Sequence, residues 1–408
     1  MFGIAMRINV GAAVIAALAF AGAAAAQEPQ PATAGGRAAL VEQAQAEKST
    51  ALRPYEPDRV EDILNRVEKT LTGNLHLHPF FDSAYAGGGF TLGAGYIRHV
   101  SAYNTIDLRG SITFSGYKRI EAAFTAPRLF DRRGSMTLIG GWREATAVGF
   151  YGVGNENTSQ DDRTNYAFDQ PYGGAAIDFW PARKLLLLRG GLELSKWNTG
   201  PGSGSAPPID EAFTPATLPG LGAAPTYLHS QATIAIDSRP SPGYARHGGF
   251  YGITYNDFHD ADGGFGFRRM DYEAIQHVPI LKETWVLSLH ARAQLADAAD
   301  TQVVPYFMMP ALGGGSSLRG FASWRFRDLN SLLLQAEWRV IGSRIVDMAL
   351  FYDAGRVASR REDLFDAPLK SDYGVGFRLH GRNATPLRVE IAHGNEGFSL
   401  VFSAKPPF

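Results

Sequence analysis

Three groups of side chains invite a chemical reading. In "HLHPFFD", His76, His78 and Asp82 alternate along an extended segment and share one face, which is a candidate set of metal ligands. Polar lining of an enclosed space would use the same spacing. "HDADGG", His259 to Gly264, has the opening carboxylates of a calcium loop but lacks its remaining ligands and closing glutamate, and reads as a turn. "GGGSSLRGF", Gly313 to Phe321, places three glycines and two serines ahead of a single cation, Arg319. Such a segment can fold tightly and deliver one guanidinium fork to a carboxylate or other anion. No G-x-S-x-G, H-E-x-x-H or Walker sequence occurs. The residues therefore imply no enzyme, no cofactor and no metal.

What must position Arg319 is read from composition and pattern. The 408 residues carry 39 Lys and Arg against 40 Asp and Glu, 46 Gly, 12% aromatics and no Cys. That balance excludes a basic nucleic-acid binder and a disordered polyelectrolyte. Without cysteine there is no disulfide framework and no thiolate metal site, which suits an oxidising compartment.

The N-terminus agrees with export. Arg7 precedes the apolar run "INVGAAVIAALAF", and Ala24 and Ala26 form an A-x-A pattern before Gln27, so residues 1–26 read as a bacterial signal peptide. A membrane anchor would need about 20 apolar residues. Residues 27–56 form an Ala- and Pro-rich flexible linker. Over 57–73, Val60, Ile63, Leu64, Val67 and Leu71 follow a helical period and Gly73 ends it, which predicts an amphipathic helix. It is expected to pack against the following domain or to plug it.

From residue 75 to 408 the period is two. "SLLLQAEWRVIG" sets Leu332, Leu334, Ala336, Trp338 and Val340 against Leu333, Gln335, Glu337 and Arg339. "TIDLRGSITF", "TWVLSLHARAQL" and "PLRVEIAHG" alternate likewise. Long strands with one apolar face and one face of mixed charges suit lipid outside and a wet lumen inside. The pattern predicts an all-β fold: a transmembrane antiparallel β-barrel of about sixteen strands, preceded by the short helix. The first strand is expected over 76–85. Connections after the fifth, seventh, eleventh and thirteenth strands are long, and those after the sixth, twelfth, fourteenth and fifteenth are short. That asymmetry belongs to outer-membrane barrels with periplasmic short turns, and the even count leaves both termini in the periplasm.

"GGGSSLRGF" then falls in the long connection after the eleventh strand, where the sequence resembles the Omp85 superfamily, of the D15 surface-antigen type shared by BamA and TamA. The family's G-G-x-x-x-[VIL]-R-G-[FY] loop signature is matched by Gly314, Gly315, Leu318, Arg319, Gly320 and Phe321. Its F-x-D-x-G strand signature is matched by Phe351, Asp353 and Gly355 in "FYDAG". "APRLFDRRGSMTL", "FYGVGNEN" and "DSRPSPGYARHGGFY" are supporting similarities in the family's order. The resemblance implies that the loop folds into the lumen and that Arg319 pairs with Asp353. Parity agrees, because Asp353 shares a face with Asp347 and Phe351, opposite Val346, Met348 and Leu350. The pair is expected to latch an inserted loop.

The chain departs from the pattern at its start. BamA, TamA and two-partner secretion transporters are similar to one another in having periplasmic POTRA domains of about 75 residues each, whereas only about 50 residues separate Gln27 from the first strand, half of them low in complexity. A separate periplasmic partner is the expected substitute. At the other end Phe398, Leu400 and Phe402 make an alternating last strand, and either Phe402 or Phe408 could be the aromatic that the barrel-assembly machinery reads during insertion. The resemblance implies an outer-membrane barrel in contact with lipid that inserts or translocates a secreted or outer-membrane protein client. A passive or gated channel and a structural surface antigen are the alternatives.

Overall fold

The computed structural model describes residue 45 and residues 76–408, apart from 157–158, 183–184, 282–283 and 382. The expected leader, the helix over 57–73 and all but one residue of the linker lie outside the described residues. From residue 76 the regular structure is nearly all strand, apart from a short α-helix (Ile209–Ala212) and three single-turn 3-10 helices among the described residues. In order the strands are β1 (Leu77–Pro79), β2 (Thr91–His99), β3 (Thr105–Thr113), β4 (Lys118–Leu129), β5 (Gly134–Phe150), β6 (Thr164–Ala182), β7 (Leu186–Lys196), β8 (Asn198–Pro201), β9 (Thr226–Asp237) and β10 (Gly248–Asp260). There follow β11 (Phe267–Ile280), β12 (Trp285–Asp297), β13 (Ala311–Leu312), β14 (Phe326–Arg327), β15 (Asn330–Ile341), β16 (Val346–Ala358), β17 (Lys370–Leu379), β18 (Leu387–Gly394) and β19 (Gly397–Ser403).

The large sheet has 17 strands. One of them, β8, prolongs β7 along the upper part of β6, which leaves sixteen in the barrel wall. Wall strands pair antiparallel with their neighbours in chain order, from β1–β2 to β18–β19. This up-and-down order satisfies backbone groups between neighbours, the condition for a β structure to lie in lipid. The alternation read from the sequence sets the two faces. Leu108, Ile112, Leu350, Phe398 and Leu400 are exposed around the outside, while Glu337, Arg378, Arg388 and Glu390 are buried inside.

One segment differs from the sequence reading. The first strand ends at Pro79, whose nitrogen faces away from β2; one more backbone bond, from Phe80 N–H to the Gly93 carbonyl at 2.9 Å, follows before the chain leaves the ladder. Residues 80–84 then turn inward: Phe80 lies under the guanidinium groups of Arg109 and Arg119, and Ser111 Oγ donates to the Asp82 carbonyl at 2.7 Å. The β9–β10 connection, 238–247, is on the short-turn end of the barrel yet is ten residues long.

At the long-loop end, β5 and β6 extend to 17 and 19 residues, beyond the roughly 9–11 that cross a bilayer. Their upper halves and the loops above carry an apolar cap of Phe150, Tyr166, Trp197, Leu218, Tyr306 and Phe307. The two-stranded ribbon β13–β14 hangs below this cap and forms the neck of the loop that contains Arg319.

Candidate functional site

The sequence of the loop dictates its path. Gly313 and Gly314 both have positive φ, +114° and +92°, which L side chains rarely adopt, and they let the chain reverse just after β13. Gly314 N–H is shared between the carbonyls of Leu318 and Phe321, each at 3.1 Å, and Gly313 N–H donates to Ser317 Oγ at 2.8 Å. The loop is thus closed by its own backbone and presents Arg319 at its tip. Gly320 lies so near β17 that a Cβ there would stand 2.6 Å from Asp372 Cβ and 2.8 Å from the Gly394 nitrogen. Leu318 and Phe321 enter an apolar cluster with Leu312, Phe326, Leu333 and Val357, and Gly355 leaves space for Leu312 and Leu318. The Gly315 carbonyl accepts from Arg388 Nη2 at 2.7 Å.

The structure brings Arg319 and Asp353 together. Arg319 Nε donates to Asp353 Oδ2 at 2.6 Å and Nη2 donates to Oδ1 at 2.7 Å, a bidentate fork. Nη1 reaches Glu337 at 3.3 Å and Glu390 at 3.2 Å. The guanidinium carbon sits 3.5 Å over the Phe351 ring centroid, so the first aromatic of "FYDAG" is its stacking platform. Burial works against the charge on Arg319, and the Asp353, Glu390 and Glu337 carboxylates outweigh it and hold its proton more tightly than water would.

Four further residues complete a charged network. Arg378 donates to both oxygens of Glu337 and to Glu390 at 3.1 Å, while Arg388 donates to Glu390 at 3.1 Å. Gln335 Nε2 donates to Asp353 Oδ1 at 3.0 Å and to the Ser317 carbonyl at 2.8 Å, tying strand to loop. Asp372 stands opposite Asp353 in the β16–β17 ladder. The expectation of a wet lumen does not hold here: Arg319, Asp353 and Glu390 are 0% exposed, because loop and cap fill the space beside β15–β18. The arrangement joins the loop to β15, β16 and β18 through ion pairs; it has no nucleophile beside a base and no converging metal ligands among the described residues.

The other sequence candidates separate. His78 Nε2 pairs with Asp107 Oδ1 at 3.0 Å, His76 meets the Ile97 carbonyl, and Asp82 meets Lys405, so the three do not converge. Asp260 of "HDADGG" accepts from the backbone amides of Asp262, Gly264 and Phe265, as a turn does.

The Omp85 superfamily domain matches residues 44–396. The chain belongs to the Omp85 superfamily. No curated protein sequence matches it. Among solved structures it is similar to BamA from Haemophilus ducreyi lacking POTRA domains 1-3, with TM-score 0.58, 12% identity, 83% of this chain covered and 77% of that one. CdiB from Escherichia coli is similar at TM-score 0.54 and 14% identity, over 80% of this chain and 59% of that one. CdiB from Acinetobacter baumannii gives TM-score 0.52 and 12% identity, over 76% and 55%. The chain therefore spans less than two thirds of either CdiB chain.

Within this Omp85 barrel the two C-terminal aromatics occupy different places. Phe402 is on the outer face of β19 with Phe398 and Leu400, whereas Phe408 lies inside, its ring centroid 5.0 Å from His290 and 6.2 Å from His277. Glu337, Glu390, Arg378, Arg388 and Gln335 were absent from the sequence-derived site. Parity marks each as inward-facing, yet only the path of the loop decides which of them meet Arg319.

Proposed function

We propose that the protein works in the bacterial outer membrane, short turns toward the periplasm, and inserts or translocates protein clients, with the Arg319 loop as a latched element of its lumen. The observation that carries this reading is the inequality of the two end strands. The β1 strand makes three ladder pairs with β2 and ends at a proline, while β19 runs for seven residues. A strand edge longer than its partner offers unpaired N–H and C=O groups, which can template an incoming strand. Family membership supports the same role. A separate periplasmic partner would deliver clients, and the barrel-assembly machinery would insert the protein itself, with Phe402 the better-placed aromatic for that recognition because it is on the outer face.

The test is site-specific photocrosslinking from residues 77–79 and 398–402, in the two end strands, in live cells. Trapping of an outer-membrane or secreted protein is the expected result. Absence of any client, together with a large steady conductance of the purified protein, would replace this reading with a channel. The filled lumen beside β15–β18 favours a gated channel over a passive one as that second reading.

A further inference from the structure

The β9–β10 connection does not hang from the barrel rim but folds into its mouth. Tyr244, at its centre, is buried, and its hydroxyl donates to Asp347 Oδ2 at 2.6 Å. Its ring stacks on His380 with centroids 4.1 Å apart and planes within 7°, and His380 Nε2 lies 3.0 Å from Asp347 Oδ1. Three backbone contacts flank this anchor. The Ala245 carbonyl accepts from Arg339, the Gly243 carbonyl accepts from Thr385 Oγ1 at 3.1 Å, and Ser241 Oγ donates to the Asn383 carbonyl at 3.0 Å. A connection between β9 and β10 is thus tied to β15, β16 and the β17–β18 turn, several strands away around the wall. Pro406 to Phe408 pack beside it, and the space left among Tyr244, His277, Arg339, Arg378 and Phe408 is about 10 Å³, at the threshold for a single water.

A turn needs only two to five residues to join antiparallel neighbours, so most of this connection is free to do something other than reverse the chain. Its ties are two hydroxyls, of Tyr244 and Ser241, and two carbonyls, of Gly243 and Ala245, groups that water can satisfy on release, and Tyr244 is its one large apolar anchor. Its binding partners belong to wall strands β15 and β16 and to the β17–β18 turn, not to the connection itself. These are the properties of a detachable strap, and the strap closes the end of the lumen opposite the inserted loop.

We propose that residues 238–247 form a second gate, held shut by Tyr244 on Asp347 and His380, which closes the periplasmic mouth independently of the Arg319 latch. The proposal takes its orientation from the reading above; its mechanics do not depend on there being a client. Arg339 also stands beside Glu337, with Nε and Oε1 3.9 Å apart, so the strap's carbonyl and the loop's arginine touch neighbouring members of one charged network.

The test uses the full chain in proteoliposomes with Ser288→Cys, a buried position lining the residual space, and a membrane-impermeant maleimide added at the short-turn side. Tyr244→Phe keeps the stacked ring and removes one hydrogen bond to a charged group; labelling is expected to quicken roughly tenfold to a hundredfold. Asp347→Asn should act in the same direction. Ser241→Cys with Asn383→Cys, oxidised to a disulfide, should slow labelling below the Tyr244→Phe rate even in that background. Heat-modifiable mobility on gels checks that each variant is a closed barrel. Equal labelling in the parent, the Tyr244→Phe variant and the disulfide-locked protein overturns the gate. Faster labelling of Tyr244→Phe with no client trapped in cells upholds the gate and overturns only the transport reading.

Discussion

Replacing Arg319 by alanine tests the latch most directly, and the structure sets its size. The network has four carboxylates, Asp353, Glu337, Glu390 and Asp372, and four guanidinium groups, Arg319, Arg378, Arg388 and Arg339. Without the Arg319 side chain, Glu337 and Glu390 keep Arg378, and Glu390 keeps Arg388 as well, but Asp353 keeps only the Gln335 amide and a long 3.4 Å contact from the residue 319 backbone N–H, and it faces Asp372. Breaking a buried pair on one side costs about 3–5 kcal/mol, and full burial removes the solvent discount that an open lumen would bring. A change of that size shifts the docked-to-undocked ratio of the loop by about two to nearly four powers of ten. The barrel itself should persist, since its ladders and outer face are untouched. The assay is external proteolysis of residues 313–321 in intact cells, paired with single-channel conductance. Asp353→Ala should loosen the loop less, because Arg319 retains Glu337 and Glu390 at 3.3 and 3.2 Å. The double variant should fall short of the sum of the singles, as coupled neighbours do. The swap of Arg319→Asp with Asp353→Arg, which a simple two-residue latch would tolerate, sets a third carboxylate against Glu337 and Glu390 and should not restore protection. Additive single effects or a parent loop already open to protease would refute the latch, and full recovery by the swap would reduce it to the two residues alone.

Other outcomes follow from the same geometry. The protein should run as a compact species in detergent until boiled, because ladder closure resists unfolding; unchanged mobility, with recovery in the soluble fraction, would contradict the membrane barrel. Cysteine pairs across 77–79 and 398–402 should crosslink in more than one register, since three ladder pairs fix β1 weakly; capture of all the protein in one register would mean a rigid seam. Gly320→Ala should cost about 1–3 kcal/mol by overpacking against β17 and show partial exposure of the loop, whereas equal protease protection would mean that β17 yields.

The fold was legible because its physics is local. In β16 the alternation of Met348 and Leu350 with Asp347 and Asp353 is enough to assign lipid and lumen, and the same holds for β15, β3, β12 and β18. Pro79 was visible as a weakness, but the inward path of the residues after it depended on Phe80 finding Arg109 and Arg119, a contact made across two strands. The contact of Arg319 with Asp353 was legible through the resemblance of its two motifs. Its other carboxylates were not, because Glu337 and Glu390 have the same parity signal as any inward residue, and only the depth of loop insertion selects them. Tyr244 was missed for the opposite reason: it lies in a connection, where no periodicity tells inside from outside.

The direction of the Arg319 contacts along the chain has a bearing on how the barrel forms. Glu337, Asp353 and Glu390 lie 18, 34 and 71 residues beyond Arg319, all on its C-terminal side and all in the last strands of the wall. The charged network can therefore be assembled by the segment from 311 to 394 without the first half of the barrel. Contacts of short sequence separation carry a small loop-closure cost and form early. The loop would be docked onto an open sheet of β15–β18, and the guanidinium buried as the sheet curls, instead of being threaded through a finished wall. Strands β2–β12 would then close around a lumen already half filled.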